Sequence, residues 1–396
     1  MKPKRTVAAL DLGSSKICAV VAGYFGPREQ WKVLGQGFAP SAGIKKGKLL
    51  QVSAVSKEIA QAVSRAAKDV KYVPSCAVVS IPSGVCRSVW REEKRVFYSK
   101  RKVSSNDIDM LHKKFPVLPD SKKDLLIKAV IDHYRVDAGP WLQEPPIGAL
   151  GESISVSGSI FYIDEADAVQ WRECLRQAGF PNIHFGIASE ALIPHIIKDH
   201  PKTNSWLQLD MGAGLVQAAL IKNGKVLRQG ATLIAGNHLV NDLMYGITIE
   251  LPEARHLLHE HGQADGSARD EELVPVVDAD GTERTRVSKA YFYRIIAARI
   301  REIFSFVQEE LDQWKKEGFI IPEHIVLCGG LSLLNGIDTA AAAFFNKKVD
   351  VLHEPKTIAA HIALGLIAAE DEQLRPRPGI IKRCVHATGR WLKEFV

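Results

Sequence analysis

Residues 8–21, AALDLGSSKICAVV, and 207–220, LQLDMGAGLVQAAL, decide how this chain folds. In each, an apolar strand is broken by Asp-x-Gly and a second strand follows at once. Two copies predict two related half-molecules. A tight Gly-containing turn between paired strands can aim its backbone N–H groups at one anion, and phosphate is the expected guest. Asp11 and Asp210 can each reach a Mg²⁺ or its waters beside that phosphate, because Mg²⁺ prefers one or two carboxylates plus nucleotide oxygens to an all-protein cage. Facing turns would clamp one nucleotide between two lobes.

The first turn, DLGSSK, supplies Asp11 for the metal, Gly13 with Ser14 and Ser15 for phosphate hydrogen bonds, and Lys16 as a phosphate-directed cation. The second offers Asp210, Gly212 and Gly214. A third stretch, IVLCGGLSLLNGI at 325–337, predicts strand, Gly-Gly turn and helix. Gly329 and Gly330 let an adenine or ribose approach the backbone where a side chain would block it. A single copy of the first motif also fits a plain hairpin with a solvent-facing Asp; the second copy and the Gly-Gly turn favour the nucleotide.

With 396 residues and 46% hydrophobic content the chain can bury a large core and build two domains or more. Its net charge of +7 makes the surface basic, suited to anionic lipid, nucleic acid or an acidic partner without choosing among them. Six scattered cysteines, Cys18, Cys76, Cys86, Cys174, Cys328 and Cys384, form no C-x-x-C pair, which fits a reducing cytosol. The apolar stretch after Lys2, Lys4 and Arg5 runs straight into Asp11, so no signal peptide is expected. No uncharged apolar run approaches the roughly 18 to 20 residues that span a bilayer, so membrane contact would be peripheral.

Strand and helix periodicities alternate from the first motif onward, an α/β opening. Between Arg87 and Asp137 the texture turns polar and basic, which predicts an inserted subdomain. That run lacks interleaved aromatics and any nucleic-acid reader motif, so a solvated or polymer-contacting face is expected there and no nucleic-acid partner. A long helical pattern covers 288–316. His256, His259 and His261 sit close together, yet no further ligand set makes them a metal site.

Residues 370–379, EDEQLRPRPG, predict an extended tether. Beyond it, 380–396 reads as an amphipathic helix. Ile380, Ile381, Cys384, Val385, Thr388, Trp391, Leu392, Phe395 and Val396 share one face; Lys382, Arg383, His386, Arg390, Lys393 and Glu394 take the other. An aromatic apolar stripe opposite a basic face is the pattern of a helix lying in a membrane interface. Ile381, Cys384, Val385, Trp391, Leu392 and Phe395 would enter the lipid, with Arg390 and Lys393 over anionic headgroups. The alternative is a terminal helix docked on the body, against which the Pro-rich tether argues. One such tail binds weakly and reversibly, and several on a polymer bind firmly.

The three glycine motifs, in this order and spacing, resemble the phosphate-1, phosphate-2 and adenosine motifs of the actin-like ATPase superfamily. GQGFAPSAGIKKGKL (35–49), GALGESISVSGSIFYI (148–163), ECLRQAGF (173–180), HEHGQADGS (259–267) and GRWLKEF (389–395) narrow the resemblance to the bacterial FtsA family, over essentially the whole chain. It implies an actin-like, ribonuclease H-like α/β fold of two lobes with an inserted subdomain and a C-terminal amphipathic helix. Lobe 1 would comprise 1–84 and 164–203, the inserted subdomain 85–163, lobe 2 204–245 and 318–369, and a partner-binding subdomain 246–317.

The same resemblance implies a cell-division protein at the cytoplasmic face of the membrane, at the septum. It would bind ATP and Mg²⁺, self-associate into filaments, tether FtsZ to anionic lipid and recruit later division proteins. IIAARIREI (295–303) matches the family's partner-binding positions at Arg299 and Glu302, which could equally be a surface pair at i,i+3. Glu190 in IASEALI falls where some actin-like proteins hold a Glu near the metal waters, and otherwise reads as a helix N-terminal Glu favoured by the dipole.

Several positions depart from the family pattern. Leu215, Val216 and Gln217 stand where hydroxyl and acidic residues are usual; Arg255 and Leu258 replace a Glu and Lys toward the ribose and base; Leu331 replaces a third glycine. These departures imply weakened nucleotide binding and weak or absent hydrolysis. The rival functions are an actin-like adaptor of a pilus or secretion complex and a small-molecule kinase. The kinase needs a positioned acidic base that no second Asp motif supplies, and it has no use for the tail.

Overall fold

The computed structural model describes residues 3–26, 31–70, 74, 76–117, 124–200, 203–278, 280–352 and 365–367. The tether and terminal helix expected over 370–396 lie outside them.

Two five-stranded sheets carry one topology. In the first the order is Asn182–Ile187, Cys76–Ile81, Arg5–Leu12, Lys16–Tyr24, Trp31–Pro40; in the second it is Lys348–Val351, His324–Cys328, Ser205–Met211, Val216–Lys222, Lys225–Thr232. Each middle strand pairs antiparallel with its hairpin partner and parallel on its other side. The repeat extends to single hydrogen bonds. Asp11 lies opposite Cys18 and Asp210 opposite Gln217, and the Gly13 and Gly212 N–H groups donate to the Lys16 and Leu215 carbonyls, both at 3.1 Å.

The near-continuous apolar runs of these strands are explained by cover on both faces. Leu10, Ile17, Ala19 and Val21 pack with Val55, Ile59, Trp171 and Leu175 of helices Val52–Ala66 and Glu165–Gln177. On the opposite face Val7, Ala9, Val20 and Ala22 meet Trp31 and Ile367. In the second lobe, helix Lys289–Lys316 lays Ile300, Phe304, Val307 and Leu311 into the largest core cluster. Its sequence has no Gly or Pro, Ser288 caps its start by accepting the Tyr291 N–H, and Gly318 at φ +92° follows its end.

A three-stranded sheet of Arg87–Lys102, Leu150–Asp164 and Asp124–Val136, with helix Ser105–Lys114, is inserted after Cys76–Ile81. Many of its basic residues are paired internally: Arg95 and Arg101 converge on Asp107, Arg91 and Lys114 on Glu93. This sheet also leans on the second lobe. Gln229 Nε2 donates to the Cys86 carbonyl at 2.9 Å, its backbone N–H to Ser88 Oγ at 3.2 Å, and Arg228 reaches Ser88 Oγ at 3.0 Å.

Candidate nucleotide cleft

Both Asp-x-Gly turns end their sheets on the same side and meet. A Cβ added to Gly214 would lie 2.4 Å from Ser14 Oγ, so only a glycine lets the two turns approach this closely. Behind them stand the two aspartates. Asp11 Oδ1 accepts from Ser80 Oγ at 3.0 Å, and Asp210 Oδ2 accepts from Gln217 Nε2 at 2.9 Å. Burial raises the Asp11 carboxyl above its ordinary value, against the Ser80 hydrogen bond and the Lys16 charge. Asp210 is also raised, to about 6, through burial and then the negative charge of Asp11, offset in part by Gln217. Two carboxylates that resist ionising together create a demand for a cation, which a Mg²⁺–phosphate group would meet.

The Gly329-Gly330 turn adjoins them. Gly329 holds φ +90°, and a Cβ there would lie 2.4 Å from Asp210 Oδ1 and 2.7 Å from the Met211 carbonyl. A Cβ on Gly330 would meet nothing within 4 Å, so that face is open to a flat guest. Lys16 is exposed, with Nζ 5.8 Å from the Phe38 ring centroid. Asp11, Gly13, Ser14, Asp210, Gly212, Gly214 and Gly329 thus come together where the two lobes meet.

The departures have structural counterparts. Leu215 is buried in the gap: Cβ atoms on Gly84 and Gly47 of the first lobe would lie 3.0 and 3.5 Å from its Cδ2. Gln217 uses its amide twice, donating to Asp210 and accepting the Ser83 backbone N–H at 2.6 Å. Arg255 is exposed, while Leu258 packs under Gly262, where a Cβ would lie 3.0 Å from Leu258 Cδ1 and 2.7 Å from Leu334 Cδ1. A packed leucine offers a ribose no hydrogen bond.

Glu190 is paired with Lys128 of the inserted sheet. Arg299 is held by Asp242 of helix Gly236–Ile247 at 2.5 and 2.8 Å, with Glu302 on its remaining nitrogen. The residues assigned to lipid, Ile381, Cys384, Val385, Arg390, Trp391, Leu392, Lys393 and Phe395, lie outside the described residues. Ser80 and Ser83 were not singled out from sequence. Their place follows from the fold, in which the strand Cys76–Ile81 takes the position in the first sheet that His324–Cys328 takes in the second.

These features define a two-lobed actin-like protein. The fold is shared with a PilM–PilN type IV pilus biogenesis complex (15% identity, TM-score 0.62, 91% of this chain and 97% of that one). It is also shared with MreB5 of Spiroplasma citri bound to AMPPNP (13%, TM-score 0.55, 94% and 98%). In sequence, a model of the cell division protein FtsA matches residues 207–364. A cell division protein FtsA from Neisseria meningitidis is 26% identical over 358 residues, covering 87% of this chain and 83% of the relative. The chain is thus similar to cell division proteins FtsA along most of its length. Among the described residues no helix is long and apolar enough to cross a membrane.

Proposed function

We propose that this protein binds ATP with Mg²⁺ between its lobes, assembles into actin-like filaments and tethers FtsZ polymers to the cytoplasmic membrane through residues 380–396. The observation that carries the nucleotide step is the convergence of the duplicated turns, Ser14 against Gly214 with Asp11 and Asp210 behind them. Asp11 and Asp210 would hold the metal waters, the N–H groups of both turns the phosphates, and Gly330 would leave room for the ribose or base. The Mg²⁺ supplies positive charge that lets both carboxylates ionise.

The role is tethering rather than turnover. Glu190 is tied to Lys128, and Leu215 stands where a hydroxyl would contact phosphate. The amphipathic pattern of 380–396 supports lipid contact, and the relationship to FtsA supports FtsZ as partner. The likeness to PilM is one of fold and does not displace this reading.

Liposome co-sedimentation tests it, using the intact chain beside one ending at Gly379, with and without ATP and FtsZ. The intact chain should pellet with anionic vesicles and carry FtsZ down, and the shortened chain should do neither. Equal pelleting of both would reject the tail as anchor.

A further inference from the structure

At the end of the second sheet remote from the Gly329 turn, three side chains from three segments converge. His324 opens its strand, Asp350 lies on the neighbouring strand Lys348–Val351, and His200 follows helix Ile193–Asp199 on the connection that enters the second lobe at Ser205. His324 Nε2 is 2.7 Å from Asp350 Oδ2, and His200 Nδ1 is 3.6 Å from the same oxygen. The two imidazoles stand 5.4 Å apart, nearly perpendicular, and the three ligand atoms all fall within 4.8 Å of one another.

We propose that His200, His324 and Asp350 form a binding site for a borderline divalent cation of the Zn²⁺ class, separate from the nucleotide cleft. Two imidazoles and one carboxylate with remaining positions for water are a zinc donor set, and imidazole ligands select against Mg²⁺. The spacing fits. Bonds of about 2.0 to 2.2 Å around a tetrahedral ion place ligand atoms roughly 3.4 Å apart. His200 and Asp350 are already near that separation, His324 and Asp350 must part slightly as the metal replaces their hydrogen bond, and the two imidazole nitrogens, which lie within 4.8 Å, must draw together.

Lys348 Nζ lies 3.2 Å from the same Asp350 oxygen and is the competitor. Its side chain is 69% exposed, so it can swing into water when the ion enters. An ion here would pin the connection between the lobes to the edge of the second sheet.

The test is a Co²⁺ titration of untagged full-length protein followed by visible absorption, with Zn²⁺ affinity measured by chelator competition. One equivalent should bind with the intense bands of a four- or five-coordinate ion. His324→Ala, Asp350→Asn and His200→Ala should each weaken binding about tenfold or more, and Lys348→Ala should tighten it several-fold. The proposal falls if the three ligand variants bind as the parent does. It falls equally if the only Co²⁺ signal is that of the hydrated ion, or if the loss follows His259→Ala in the exposed histidine cluster instead.

Discussion

Gln217 Oε1 accepts the backbone N–H of Ser83 at 2.6 Å, so a side chain of the second lobe supplies the acceptor for a buried main-chain donor of the first. Its Nε2 meanwhile holds Asp210 at 2.9 Å. One amide therefore couples the lobe-to-lobe contact to the orientation of an aspartate in the cleft. A carboxylate at this position could accept from Ser83 but could not donate to Asp210.

Gln217→Ala should lower stability by about 1 to 3 kcal/mol, the cost of an unsatisfied buried donor. Urea melts check the magnitude. Hydrogen exchange locates it: amides around Ser83 should lose protection, and unchanged exchange there would mean the strap does not hold the lobes.

Leu215→Thr should tighten ATP binding several-fold, because it removes a buried apolar side chain from the gap beside Gly47 and Gly84 and offers a hydroxyl. It should also reduce stability by about 1 to 3 kcal/mol through lost apolar burial. A titration with a fluorescent ATP analogue reads the first effect. Weaker binding by a folded variant would show that Leu215 is not the obstacle.

The two sheets were legible because Asp-x-Gly between apolar runs is a local signal, and the register repeat at Asp11–Cys18 and Asp210–Gln217 follows from it. Helix 289–316 was equally plain from its period. The strand Asp124–Val136 was hidden, because its buried alternation Val130, Asp132, Tyr134 carries a charge in the middle and Lys128, His133 and Arg135 break up the apolar signal around it. The hairpin Leu273–Val277 with Glu283–Ser288 was hidden for the opposite reason: its second strand, ERTRVS, is mostly exposed and carries almost no apolar signal. In the cleft the glycines could be placed from sequence. The double use of Gln217 and the filling of the gap by Leu215 depend on how far the lobes close, which no local pattern encodes.

Asp210→Asn should change the pH dependence of stability in a defined direction. The carboxyl stands at 3.8 in the unfolded chain and about 6 in the folded one, so the folded state favours the protonated form. That contribution is fully present below pH 3.8 and is lost as pH rises through 6. The substitution should therefore stabilise the nucleotide-free protein at pH 7.5, have little effect near pH 4, and weaken Mg²⁺–ATP binding. The difference between the two pKa values corresponds to at most about 3 kcal/mol; with the side chain partly exposed, about 1 kcal/mol is expected. Thermal melts of both proteins across pH 4 to 8 (on the order of one melt per pH unit) decide it, and parallel curves would refute it.

Asp107 anchors the inserted subdomain. It accepts from Arg101 at 2.7 and 2.8 Å, from Arg95 at 3.0 Å, and from the Ser104 N–H and hydroxyl in a reciprocal cap of helix Ser105–Lys114. The Arg101 hydrogen bonds, chiefly, hold its carboxyl far below the usual carboxylate range. A depressed pKa contributes stability that is present above 3.8 and lost as pH falls toward the folded value. Asp107→Ala should cost about 3 kcal/mol locally and expose the helix amides to exchange at neutral pH. Retained protection would show that the apolar contacts of Ile108 and Leu111 suffice.

Arg299 and Glu302 separate into two roles. The Arg299 guanidinium is forked onto Asp242 with its side chain 19% exposed, whereas Glu302 is 47% exposed and faces solvent beside it. The fork packs helix Lys289–Lys316 against helix Gly236–Ile247, so Arg299→Ala removes a charged hydrogen-bonded partner and should lower stability by about 1 to 2 kcal/mol. Glu302→Lys breaks only the exposed Arg299–Glu302 pair and leaves the Asp242 fork in place, so it should cost no more than about 1 kcal/mol. If FtsZ docks on this face, the reachable group is Glu302, and reversing its charge should abolish binding of an FtsZ C-terminal peptide in fluorescence anisotropy while lowering the melting temperature less than Arg299→Ala does. Unaltered peptide affinity would place the partner face elsewhere and leave Arg299 as a helix clamp.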